Sequence, residues 1–189
     1  MRDHQLLTSA AQSAVIQGDL PGARAAGAAL ADLSPEQVHA RLDPGLPKLV
    51  NASREVASAA DLQAAATAVG TLGAVCADCH AATGHGPRAD GQTTTGWGEE
   101  AHMPRHQWAA DRMWLGLIAP SAEAWDGGAR DLGAHRIPLA QDAGPREVAA
   151  EAEIRRLAAA APDAITTEAR AAAYGELLAT CAGCHTAPR

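Results

Sequence analysis

Leu62, Ala65 or Ala66, Val69, Leu72 and Cys76 recur at the three- and four-residue spacing of a single helix face. That stripe predicts a helix beginning near Asp61, whose carboxylate suits an N-cap. Breaks at Gly18-Asp19, Ser34-Pro35 and Asp43-Pro44-Gly45 separate three earlier helices, at about 3–17, 20–32 and 47–60. Pro47 falls in the first turn of the third, where no amide donor is needed. The same reading of the second half predicts helices at about 104–118, 121–132, 145–160 and 163–185.

The two sets of four are alike in sequence. Met1-Arg2-Asp3-His4-Gln5 aligns with Met103-Pro104-Arg105-His106-Gln107 at an offset of 102, which also matches Val15-Ile16 to Leu117-Ile118 and Leu30 to Leu132. Pro47, Val50 and Val56 match Pro145, Val148 and Ile154 at an offset of 98. Gly70-x-Leu72-x3-Cys76 matches Gly175-x-Leu177-x3-Cys181 at 105, so short insertions and deletions fall in the loops. The expected architecture is all-α: two tandem four-helix-bundle units related by internal duplication, 1–82 and 103–189, joined by a linker at 83–102 rich in Gly, Thr and charge.

Composition refines this picture. Apolar residues make up 47% of the chain, alanine is abundant, phenylalanine is absent, and Tyr174 and four tryptophans are the only aromatics. Small side chains must therefore make most of the core. The formal charge of -7 argues against nucleic-acid or anionic-membrane partners. No apolar run approaches the ~20 residues of a membrane span, and the N-terminus has no secretory apolar stretch.

The chemistry is concentrated in two places. All four cysteines lie in Cys76-Ala77-Asp78-Cys79-His80 and Cys181-Ala182-Gly183-Cys184-His185. Cys-x-x-Cys-His is the attachment signature of c-type haem. Two thiols add across the vinyl groups as thioethers, and the adjacent imidazole ligates iron. A zinc ribbon would place its second pair roughly 15 to 20 residues on, whereas 101 residues separate Cys79 from Cys181. A thioredoxin-like dithiol has no use for the histidine, and a chain of 189 residues needs no disulfide staples. The expected cofactors are two covalent haem c groups, held by Cys76, Cys79, Cys181 and Cys184, with His80 and His185 as proximal iron ligands. Because such attachment normally follows export to an oxidising compartment, the chain reads as a mature periplasmic or otherwise exported form.

Only four residues follow His185, none of them methionine or histidine, so the sixth ligand of that iron must come from upstream. This layout resembles cytochrome c′ and related class II cytochromes c, four-helix bundles with the motif near the end of the fourth helix. The layout covers both units, while only the two motifs match residue by residue. Shorter units, tandem duplication and the absence of phenylalanine depart from that family. The resemblance also implies a second function class, a gas-binding haem protein taking NO or CO at an open distal site.

His4 and His106 occupy equivalent places in the first helix of each unit, which in a four-helix bundle faces the fourth across the haem. They are the candidate distal ligands, paired with His80 and His185 respectively, and as plain duplicated histidines at helix ends they would carry no function. Met1 and Met103 form the next candidate pair, and Met113, which aligns with Ala11, would serve at most one unit. His39, His85, His102 and His135 lack a counterpart and are expected at the surface or in the linker; Trp108 and Trp114 are expected as core filling near the second haem.

The expected function is one-electron transfer, with no catalytic residues and no substrate pocket. A dihaem peroxidase would need an open iron with distal acid–base residues, and here the two sites look alike. An acidic surface suits a redox protein partner with a basic docking patch, and it fits a subunit of a respiratory or photosynthetic assembly as well.

Overall fold

The computed structural model describes residues 2–33, 45–89, 102–139 and 142–186, with the side chains of residues 2 and 3 left aside. Among them the chain is all-helical: α1 (Arg2–Ile16), α2 (Leu20–Ala31), α3 (Leu46–Ala57), α4 (Leu62–Thr83), α5 (His102–Ile118), α6 (Ala122–Ala134), α7 (Pro145–Ala160), a 3-10 turn (Ala161–Asp163) and α8 (Thr167–His185). Helix starts follow local chemistry. Asp61 accepts from Ala64 N at 2.8 Å, Asp19 from Gly22 N at 2.9 Å, and Ser121 from Ala124 N at 3.2 Å.

Helix ends shift by up to four residues from the sequence expectation, and two of these shifts matter. The last helix begins at Thr167 instead of 163, because residues 161–163 close a 3-10 turn and the Thr166 hydroxyl takes the cap, accepting from Ala169 N at 3.1 Å. In the other case α5 starts at His102, inside the stretch read as linker. A third expectation also changes: α4 has 22 residues with Asp78 as its only charge, and is long and apolar enough to cross a membrane. Half of that apolar stretch is buried among other helices, as in a core helix.

Within each half, successive helices pack on one another, and the first and fourth of each set also touch. The two halves share one apolar interior, in which α4 lies along α8, α1 reaches α8, and α4 reaches α5. The α4–α8 crossing depends on glycine. A Cβ at Gly70 would run into the Ala171 carbonyl, and one at Gly175 would stand 3.3 Å from the Ala66 oxygen and the Thr67 Cα. Ala66 and Ala171 share the 105 offset of the two glycines, so the partners correspond, with the closer approach at Gly70.

Large side chains close the interior where alanine leaves room. Trp125 and Tyr174 are fully buried, and their polar atoms are paired as burial requires. Trp125 Nε1 donates to the Ala161 carbonyl at 2.7 Å, and the Tyr174 hydroxyl donates to the Ala110 carbonyl at 3.0 Å. Gln12 of α1 donates to Tyr174 Oη at 2.7 Å and to Asp111 Oδ1 at 3.0 Å, which ties α1, α5 and α8 together.

Candidate haem clefts

Each Cys-x-x-Cys-His sequence lies in the closing turns of a helix, and each borders a cleft. The apolar stripe of α4 turns Cys76 inward, where it is buried, and leaves Cys79 and His80 half-buried one turn on. Gly84, at φ 67°, ends the helix by donating its N–H to the His80 carbonyl at 2.9 Å. The chain then folds back over the histidine: a Cβ on Gly86 would stand 2.9 Å from the His80 Cβ.

The first cleft, about 270 Å³, is bounded by His4, Gln5 and Thr8 of α1, Cys76 and His80 of α4, the 85–87 loop, and Ile118 at the end of α5. Ring centres of His4 and His80 are 6.4 Å apart, with the planes inclined at 55°. The His80 Nδ1 lies 2.8 Å from the Ile118 carbonyl, to which it donates as the Nδ1–H tautomer. That leaves Nε2 with its lone pair available to a metal.

The second cleft is narrower, about 70 Å³, and almost wholly apolar. Cys181, Cys184 and His185 of α8 meet Met103, His106, Gln107 and Ala110 of α5 there, with Leu132, Ile137, Ile154 and Ile16 as further walls. His106 is buried, and its Nε2 donates to the His135 carbonyl at 2.8 Å. Desolvation is the main cause holding its pKa below the ordinary histidine value, partly offset by that hydrogen bond, so burial favours the neutral imidazole.

All four thiols have raised pKa values. Burial, reinforced by the neighbouring Cys79, pushes Cys76 up to about 12, and burial with Cys184 does the same to Cys181. Burial also raises Cys79 and Cys184. A catalytic dithiol needs a lowered pKa to supply thiolate. All four cysteines are free, and no three His, Cys, Asp or Glu side chains among the described residues are placed to hold a bare metal ion.

Both candidate distal histidines thus lie on the cleft of their own motif. Other residues are placed less as the sequence suggested. His85, expected at the surface or in the linker, is exposed but edges the first cleft. His135 supplies the carbonyl that holds His106. Met103 lines the second cleft at 47% exposure, Met113 is buried away from it against Gly128, and Met1 and His39 lie outside the described residues. Trp108 sits beneath the Arg112 guanidinium at 5.5 Å and Trp114 packs on Tyr174 at 5.5 Å. Ile118, Gly86 and the His135 carbonyl had no signal in the sequence, since each acts through backbone. No family model matches this chain, and no curated protein or solved structure is significantly similar to it.

Proposed function

We propose that this protein is a dihaem c-type cytochrome that carries single electrons between redox partners. The observation that carries the reading is that Cys76 and His80 share the first cleft with His4, and Cys181, Cys184 and His185 share the second with His106. The fit can be tested in the first cleft. With imidazole–metal bonds of about 2.0–2.1 Å and roughly 1 Å more from nitrogen to ring centre on each side, two imidazoles that share one metal would have ring centres at most about 6 Å apart. His4 and His80 are at 6.4 Å.

Bound haem iron supplies a one-electron ferric–ferrous couple. Cys76 with Cys79, and Cys181 with Cys184, tether the two groups as thioethers. His80 and His185 would hold the two irons as proximal ligands, with His4 and His106 as the candidates for the opposite side. Ile16, Ala110, Leu132 and Ile154 are buried apolar walls of the second cleft, and in the first the hydrogen bond from the His80 Nδ1–H keeps its Nε2 aimed and basic; burial and such a hydrogen bond are two levers by which a protein sets a potential. Two imidazoles favour a lower potential than a histidine–methionine pair. The chain's net charge of -7 suits a partner with a basic docking surface, whether a free redox protein or part of a respiratory or photosynthetic assembly. Covalent attachment places the working protein in the periplasm or another exported setting.

A second reading, a cytochrome c′-like site open to NO or CO, is favoured at the second cleft by one fact: the Nε2 of His106 is already engaged by the His135 carbonyl. Low-temperature EPR of the ferric protein, with haem counted separately, separates the two. Two low-spin signals are expected; a substantial high-spin signal would move the gas-binding reading to first place.

A further inference from the structure

Resting on the haem reading, we infer that the proximal ligand of the first haem is positioned and electronically tuned by the other half of the chain, through the main-chain carbonyl of Ile118. The acceptor of the His80 Nδ1–H lies 38 residues away, at the last residue of α5. The closing carbonyls of a helix have no partner within it and carry the negative end of its dipole. Here the chain leaves the helix at Ala119-Pro120, with Ala119 N donating to Leu115 O at 2.9 Å and Ser121 N to Gly116 O at 3.0 Å. His80 answers the Ile118 carbonyl, in the field of that helix terminus. An N–H polarised in this way makes the opposite nitrogen a stronger donor to iron and favours the ferric state.

The exchange is reciprocal in layout. Helix α5 carries His106 on the second cleft and Ile118 on the first; α1 carries His4 on the first cleft and Ile16 on the second. Ile16 and Ile118 are repeat equivalents at the offset of 102. In each helix the two residues are 12 positions apart, about 18 Å at 1.5 Å per residue. Beyond α1, a Cβ on Gly18 would run into the Thr186 side chain, next to His185. Each cleft is therefore walled by both halves of the chain.

The test is Ala119→Pro in the full-length, haem-loaded protein. Proline at 119 disfavours the helical conformation at residue 118 and so re-aims the Ile118 carbonyl. Ala119→Gly leaves that conformation open and is the conservative control. In a spectroelectrochemical titration, with the first haem assigned through His4→Ala, the proline variant should lower the ferric-to-ferrous ratio of the first haem about tenfold at a fixed potential, equivalent to 59 mV for one electron. The second haem and the glycine variant should titrate as wild type. A folded proline variant with two haems and an unchanged first potential overturns the inference alone, whereas a wild-type chain that attaches no haem overturns the haem reading and the inference together. Should Ala119→Pro fail to fold, NMR of the ferrous wild-type protein decides. A nuclear Overhauser contact from the His80 Nδ1–H to Ile118 or Ala119 is expected, and contacts confined to residues 2–89 would refute the assignment.

Discussion

Alanine at Gly70 and alanine at Gly175 should have different consequences, although the two glycines are equivalent in sequence and face each other across the α4–α8 crossing. Glycine-to-alanine inside a helix gains about 1 kcal/mol from propensity. Against that gain stands the space each methyl would meet. At Gly70 it meets the rigid Ala171 carbonyl below any real Cβ contact, so the helices must part. Overpacking of this kind costs about 1–3 kcal/mol, and the backbone nature of the obstacle points to the upper part of that range. At Gly175 the nearest atoms are at 3.3 Å, which a shift of a few tenths of an ångström relieves. The expected net effects are a destabilisation of about 1–2 kcal/mol for Gly70→Ala and a change near zero for Gly175→Ala. For a chain of this size 1 kcal/mol moves Tm by about 2–4 °C, so the first variant should melt about 2–8 °C below the second. Thermal unfolding followed by far-UV circular dichroism, on full-length haem-loaded protein, reads the difference. Equal melting temperatures, or a Gly70→Ala variant stabilised by the propensity gain, would refute the crossing as described. On the haem reading the contact also bears on the sites, because each glycine precedes the first cysteine of its motif by six residues, about 9 Å along the helix.

Three further outcomes are expected. Replacing Cys76 and Cys79 together by alanine should leave one covalent haem per chain, and replacing all four cysteines none; a pyridine haemochrome count checks this, and two haems in the double variant would contradict the assignment. Burial holds the Asp111 pKa above the ordinary carboxylate value, against the lowering by its hydrogen bonds from Gln12 and Gln107. A raised folded-state pKa means that its contribution is present below the unfolded value and lost as pH rises through the folded one. Asp111→Asn should therefore raise Tm at pH 7, with the gain shrinking as pH falls to the unfolded carboxylate value of about 3.9; a gain independent of pH would refute it. Trp125→Phe removes the donor to the buried Ala161 carbonyl and should cost about 1–3 kcal/mol in urea unfolding.

What the sequence determined by itself is the chemistry that is local in the chain. Cys-x-x-Cys-His occupies five consecutive residues, so its donor set is complete before any folding. The helical stripe from Leu62 to Cys76 and the Asp61 cap depend on residues within a few turns, and both are found where the spacing places them. The alignment of the two halves also singled out His4 and His106, which both lie on clefts.

Tertiary structure alone decided what those groups meet. The Ile118 carbonyl, the Gly86 backbone over His80 and the His135 carbonyl on Nε2 of His106 are main-chain groups, and every residue type carries the same ones. Composition therefore holds no trace of which of them will be used. The α4–α8 crossing is similar: alanine-rich helices offer several smooth faces, and only the two reciprocal glycines select one. The start of α8 was misjudged for a related reason, since a 3-10 turn and a helix share residue preferences and differ in where the capping hydroxyl falls. On the haem reading, the motif names the cofactor. Interhelical packing decides that both halves build each of its sites, because contacts between residues distant in sequence arise only when the helices are brought together.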